Sequence, residues 1–287
     1  MALAIFILLL AMLSIQSGAS IAKSLFPILG TLGITSLRIG FAALILSVIY
    51  RPWRHWRGKW SFSEFQNVLM YGSALGLMNI LFYLALARIP LGVAVALEFT
   101  GPLGVALFAS RKKIDFLWAA LATSGIVLIL PWQEASQSLD PMGIIFALAA
   151  GGCWALYILA GRRVSSTLPG GIAASSGMIV AALIALPFGL FSAGTNLLQL
   201  QAWPAALAVA VFSSALPYSL EMRALRILPT QTFGILMSLE PAVAALSGFL
   251  FLSEKLDFIQ IVAILSIMAA SVGSSLSAKS EMISEVG

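Results

Sequence analysis

Two glutamates and one arginine stand where an apolar chain offers them no water. Glu98 lies in LGVAVALEFTGPL (91–103), Glu240 in GILMSLEPAVAAL (234–246) and Arg38 in GITSLRIGFAALIL (33–46). An ionisable group inside a bilayer-length apolar run costs at least ~2.5–3.5 kcal/mol, so each requires a partner or a task. A carboxylate there can carry a proton or bind an ammonium group. A guanidinium can grip a carboxylate through two parallel N–H bonds. Both acids stand beside a proline that loosens the helix and turns backbone towards a cavity: Gly101 and Pro102 come one turn after Glu98, and Pro241 directly follows Glu240. For the acids, one reading is a proton-titratable or amine-binding carboxylate. The other is a structural carboxylate bonded to backbone N–H groups freed around the proline, or paired with Arg38. Arg38 itself reads equally as the holder of a substrate carboxylate or as the counter-ion of Glu98.

Neutral polar residues in the apolar runs add hydrogen-bonding capacity without a charge penalty. Asn79 and Tyr83 stand at i and i+4, with Gly76 one turn earlier, and so share a helix face. Trp154 and Tyr157 are three apart on another run, Gln16 and Ser17 lie in the first, and Tyr218 follows Ser214 and Pro217. Glu98, Glu240, Arg38, Asn79, Tyr83, Tyr218, Gln16, Trp154 and Tyr157 are therefore the candidates for substrate binding or proton coupling. Glu221, close to Arg223 and Arg226, reads as half of an interfacial ion pair. Lys23 reads as an anchor for the end of the first run. Gly72 with Gly76, and Gly151 with Gly152, read as sites of close helix packing.

Other chemistries lack their residues. The chain has one cysteine, Cys153, and one histidine, His55, which sits in its most basic loop. No Cys/His zinc site follows from that pair, and a Ser-His triad would have to be built on a loop histidine. No metal and no cofactor is expected, and no catalytic residue is assigned. A membrane-embedded acyl or glycosyl transferase is the alternative from another functional class, but the chain has neither a DxD nor an HxxxxD motif and no histidine within an apolar run.

The elements that must position these residues follow from composition. Of 287 residues, 60% are hydrophobic and only 9% charged, against about 25% charged in an ordinary soluble domain. A soluble protein of this size cannot hide so much apolar surface. Soluble enzymes, disordered chains and nucleic-acid binders are excluded, and an all-α integral membrane protein remains. The formal charge of +5 then reads as a topology signal rather than a nucleic-acid patch. A spanning helix needs roughly 20 mostly apolar residues, and such runs fall at 3–22, 30–50, 66–86, 91–109, 115–132, 142–161, 170–191, 204–222, 230–251 and 256–277. The first run has no Lys or Arg before it, which argues against a cleaved signal peptide.

Lysine and arginine set the orientation. With the N-terminus cytoplasmic, twelve of the sixteen fall on the inside and three (Lys23, Arg88 and Lys255) outside, while Arg38 lies within a span. Ten spans with both termini cytoplasmic are expected. Two stretches also repeat: Pro90 through EFTGP (98–102) to KKIDF (112–116), and Pro229 through SLEP (238–241) to EKLDF (254–258). The spacing from proline to proline is the same in both. Residues 1–137 and 138–287 are therefore expected to be two five-helix repeats, and an odd number of spans inverts the second relative to the first. Inverted repeats hold substrate near the bilayer midplane in secondary transporters.

Ten spans, a five-plus-five repeat and the two proline motifs resemble the EamA type within the drug/metabolite transporter superfamily, over nearly the whole chain. More narrowly, SIQSGASIAKSLFP (14–27), PLGVAVALEFTGPL (90–103), CWALYILAG (153–161), ALPYSLEM (215–222) and FGILMSLEPAVAALSG (233–248) look like its bacterial exporters of threonine and homoserine. The resemblance implies an EamA-like repeat in each half, a multi-pass protein of the bacterial inner membrane, and export of small amino acids by proton antiport. Its partners would be a small zwitterionic substrate, protons and membrane lipid, with no nucleic acid. It places coupling and binding among Glu98, Glu240, Arg38, Asn79 and Tyr218. One departure weakens symmetric gating: repeats of this type usually end the fourth span with an acid, kept here as Glu254 but replaced by Lys112 in the first half. A broader drug or metabolite exporter is the alternative within transport. Four or five large aromatics in the cavity would favour hydrophobic drugs, and opposed charges a zwitterion.

Overall fold

The computed structural model describes residues 2–56, 61–109, 114–129, 139–217, 220 and 236–284, and the regular elements among them are helical. Five helices are long and apolar enough to cross a membrane: α1 (Ala2–Ser24), α3 (Thr31–Tyr50), α5 (Phe62–Leu86), α9 (Pro141–Ser165) and α10 (Gly170–Ala193). Short α2 (Phe26–Leu29) and α4 (Pro52–Trp56) flank α3. The other apolar runs hold α6 (Leu91–Glu98), α7 (Thr100–Ala109), α8 (Ile114–Ile129), α11 (Trp203–Ala210), α12 (Glu240–Leu252) and α13 (Phe258–Ser284). The run at 91–109, expected as one span, is two helices broken at Phe99. Large apolar side chains such as Leu183, Phe191, Phe249 and Phe251 face outward, an arrangement that suits lipid rather than water.

Helix starts follow local rules. Ser61 and Glu64 form a reciprocal capping box at the head of α5. Asp140 caps α9 by accepting the Met142 N–H, with Pro141 opening the helix. Asp140 also pairs with Arg88 at 2.7 Å. That bond, helped by the Met142 N–H, holds the carboxyl below its ordinary range.

The helices pack through small residues, as they must where lipid gives no hydrophobic drive for association. α3 lies along α10, α6 against α12 and α8 against α13. α5 packs on α9 and α10, α1 on α12 and α11, α11 on α3, and α6 and α7 on α9. Gly72 and Gly76 meet Gly177, Val180 and Ala181 of α10, and Gly92 meets Ala245 of α12. Gly101 lies against the Gly151 carbonyl, and Gly151 in turn against the Glu98 carbonyl. Gly152 does not share this role: it lines an open groove beside Gly101 and Gly104, and a Cβ there would meet nothing within 4 Å. Lys23 at the end of α1 pairs with Glu254 Oε1 at 2.6 Å and donates to the Ile89 carbonyl at 3.2 Å. Glu254 Oε2 accepts the Leu91 N–H at 2.8 Å. One carboxylate thus ties α1, α6 and the segment after α12 together. Its expected counterpart, Lys112, lies outside the described residues, as do the other basic residues of that loop.

The contrast between the two glycines is testable. A methyl group at Gly101 has only backbone to push against, so Gly101→Ala is expected to cost about 1–3 kcal/mol, the usual range for overpacking. Gly152→Ala is expected to be neutral or to stabilise by about 0.5–1 kcal/mol through helix propensity. Thermal midpoints of the purified variants in one detergent check both: the first should fall and the second should not.

Candidate functional site

Proline dictates where the helices open. It has no N–H, so the carbonyl four residues earlier loses its helical donor, and in lipid that carbonyl must find another environment. Pro102, Pro217 and Pro241 each follow an irregular stretch: the break at Phe99, the π-turn Val211–Ala215 and the turn at Ser238–Leu239. The residues four before them are Glu98, Ser213 and Met237, and all three line one cavity of about 160 Å³. Pro187 lies inside α10, which continues through it, so a proline alone does not make a site.

The cavity also takes Gln16 from α1, Arg38 from α3, Asn79, Phe82 and Tyr83 from α5, Trp154 and Tyr157 from α9, and Glu240 from the start of α12. Glu98 ends α6, is 7% exposed, and among the described residues makes no hydrogen bond or ion pair. Glu240, 5% exposed, opens α12, where the helix dipole favours an acid. Its Oε1 accepts from Gln16 Nε2 at 3.1 Å.

Arg38, also 5% exposed, is held without a carboxylate. Nη1 donates to Ser213 Oγ at 3.2 Å and to Ser214 Oγ at 3.0 Å. Nη2 donates to Asn79 Oδ1, and Asn79 Nδ2 is itself fixed on the Leu75 carbonyl at 2.7 Å. The guanidinium carbon lies 4.8 Å from the Tyr83 ring centroid, within cation–π range. The ion pairs among the described residues are Lys23–Glu254 and Arg88–Asp140. Among the described residues Arg38 thus forms no direct ion pair with Glu98, and no hydrogen bond joins the Glu98 carboxylate to backbone N–H groups around Pro102.

Four buried side-chain atoms among the described residues lack a hydrogen-bond partner: Gln16 Oε1, Glu240 Oε2, Arg38 Nε and the Tyr83 hydroxyl. All four belong to residues lining this cavity. An unmet buried polar group costs about 1–3 kcal/mol, so their concentration in one place is the mark of a ligand site rather than of packing. They divide by chemistry. Gln16 and Glu240 offer acceptors to an ammonium group, while Arg38 and Tyr83 offer donors to a carboxylate. On the wall, Tyr157 stacks on Tyr71 at 4.8 Å with hydroxyls 3.2 Å apart, and Trp154 meets Phe99 edge-on at 5.7 Å.

Of the residues singled out from sequence, Gln16, Arg38, Asn79, Tyr83, Glu98, Trp154, Tyr157 and Glu240 all line this one cavity. Tyr218 and Glu221 lie outside the described residues. Sequence reasoning missed Ser213, Ser214, Met237 and Phe82. For Ser213 and Met237 the available signal was a proline four residues on. No group of three His, Cys, Asp or Glu side chains able to hold a metal occurs among the described residues.

A bundle of apolar helices, interrupted beside prolines around a buried cavity with two unlike poles, is the design of a membrane transporter. The profile of the EamA-like transporter family matches residues 141–276. The threonine/homoserine exporters RhtA of Salmonella typhimurium strain LT2 and of Escherichia coli strain K12 are each 50% identical over 279 residues, covering 97% of this chain and 93% of theirs. The chain belongs to the EamA-like transporter family, a multi-pass membrane protein whose matched relatives are exporters and not enzymes. A solved crystal structure, 20% identical, aligns over 97% of this chain and 98% of its own with a TM-score of 0.59. At that identity it bears on the fold alone.

The site makes opposite demands on stability. Glu98→Gln removes an uncompensated buried carboxylate and should leave the thermal midpoint unchanged or raise it. Arg38→Ala strands Asn79 and both serines, so it should lower stability by about 1–3 kcal/mol. Thermal denaturation of the two variants in the same detergent separates these outcomes.

Proposed function

We propose that this protein exports small zwitterionic amino acids of the threonine and homoserine kind across the bacterial inner membrane by proton antiport. The observation that carries the reading is the division of the unpartnered atoms into an acceptor pole, Gln16 and Glu240, and a donor pole, Arg38 and Tyr83, in one cavity. An amino acid supplies the complement of both. Its carboxylate meets Arg38, its ammonium meets Glu240 or Glu98, and a side-chain hydroxyl falls to Asn79, Tyr83 or Gln16. A glutamate that holds either a proton or the ammonium, never both, converts inward proton flow into outward substrate flow. The relatives, threonine/homoserine exporters, agree with this substrate class.

The proposal includes ten spans as two inverted repeats, 1–137 and 138–287, with both termini cytoplasmic. Helix packing supports it. Exchanging α1, α3, α5, α6–α7 and α8 for α9, α10, α11, α12 and α13 in that order maps the main contacts onto themselves. The α5–α9 pair becomes α11–α1, for example, and α5–α10 becomes α11–α3. The family profile also falls wholly inside the second half.

A second reading has its own observation. Phe82, Tyr83, Trp154 and Tyr157 put four large aromatics on the cavity wall, the number expected of an exporter of hydrophobic drugs or metabolites. Size argues for the amino acid: about 160 Å³ is well below the ~300–1,000 Å³ of pockets for drug-sized ligands.

Proteoliposomes loaded with labelled threonine or homoserine and acidified outside decide between the two. Saturable loss of label that accelerates with the proton gradient is the expected result, with the acceleration falling at least tenfold in Glu98→Gln or Glu240→Gln. Unchanged proton drive in both variants would refute coupling through these acids. Loss blocked by a hydrophobic amine but not by unlabelled amino acid would favour the second reading.

A further inference from the structure

Arg38 is the basic residue of the cavity wall, and its hydrogen bonds go to neutral groups. Two of its holders are adjacent in sequence, which a regular helix forbids: residues i and i+1 do not face the same side. The π-turn Val211–Ala215 removes the obstacle. The Leu216 N–H bonds to the Val211 carbonyl, five residues back, directly before Pro217, whose ring would clash with the Ser213 carbonyl of a regular α-turn. The extra residue in that turn brings the hydroxyls of Ser213 and Ser214 onto the same nitrogen, Arg38 Nη1, at 3.2 and 3.0 Å. Single π-turns inside helices are rare and gather at functional sites.

The turn is also fixed from behind. Ser14 Oγ donates to the Phe212 carbonyl at 2.6 Å. Gly18 admits the Ser213 backbone so closely that a Cβ there would stand 2.9 Å from its nitrogen. The Ser213 hydroxyl spends its hydrogen on the Val209 carbonyl at 2.6 Å, which leaves its oxygen lone pairs to Arg38. With Asn79 on Nη2 and the Tyr83 ring beneath, the guanidinium has one orientation, and Nε keeps its hydrogen unclaimed.

We propose that Ser213 and Ser214 are positioning residues that aim Arg38 at the substrate carboxylate, and that their neutrality is what keeps the guanidinium available to it. An acid at either position would neutralise Arg38 from within and take the place of the substrate. This inference rests on the carboxylate-binding role given to Arg38 above, and it names the device that makes that role possible.

The test is saturable export of labelled threonine or homoserine from proteoliposomes, with KM and turnover measured separately. The double variant Ser213→Ala/Ser214→Ala should raise KM at least about tenfold, the worth of a hydrogen bond to a charged group, and hold turnover within about threefold. Ser214→Ala alone should raise KM by a smaller factor, and it guards against misfolding of the double variant. Ser214→Thr, which keeps the hydroxyl, should restore KM, and Ser214→Asp should raise it as far as Arg38→Ala does. If Arg38→Ala raises KM while the serine variants do not, the positioning role is wrong and the carboxylate role stands. If neither Arg38→Ala nor any serine variant changes KM, both are wrong.

Discussion

A bilayer leaves no backbone carbonyl or N–H without a partner at low cost, and the rest of this structure depends on that constraint. Pro102, Pro217 and Pro241 each deprive one carbonyl of its donor, and the chain answers by opening the helix just before the proline. The openings converge: Glu98, Ser213 and Met237, the residues whose carbonyls are released, all line one cavity. The irregular stretches thus bring residues from three separate helices to one cavity. The glycines complete the arrangement. Gly101 and Gly151 let the broken fourth segment lie directly on α9, which sets Glu98 beside Trp154 and Tyr157.

The two halves use the same device differently. In the first, the acid precedes the break and ends a helix. In the second, Glu240 follows the break and starts one. Glu98 is left without a hydrogen-bonding partner among the described residues, whereas Glu240 has Gln16 and the positive end of α12. Two carboxylates in one cavity are thus chemically unlike, which suits the proposed division between proton and substrate ammonium. In the same cavity Arg38 is hydrogen-bonded to serine and asparagine oxygens and makes no direct ion pair with an acid among the described residues.

The sequence made the charged part of the site legible. Arg38, Glu98 and Glu240 stand out because ionisable groups are costly in apolar runs, and Asn79 with Tyr83 follows from helical spacing. Serine is unremarked in a span, so Ser213 and Ser214 gave no such signal, and their joint hold on Arg38 depends on a π-turn that helical spacing cannot foresee. The same limit hid the break at Phe99: hydropathy reads composition and is blind to whether a run is one helix or two. Spacing also grouped Gly152 with Gly151, although only Gly151 lies in close contact with the neighbouring helix. Whether Arg38 pairs directly with Glu98 or is held by neutral groups needed coordinates, since both arrangements fit the same residues.

In the proposed mechanism a buried glutamate holds either a proton or the ammonium of the substrate. The most direct measurement is proton release on binding: purified protein in weakly buffered detergent is mixed with homoserine at near-neutral pH, and a pH-sensitive dye follows the solution. Protons should be released saturably as homoserine binds, and the Glu98→Gln/Glu240→Gln double variant should release none. Saturable homoserine binding to the unaltered protein with no proton released across the neutral pH range would contradict this mechanism.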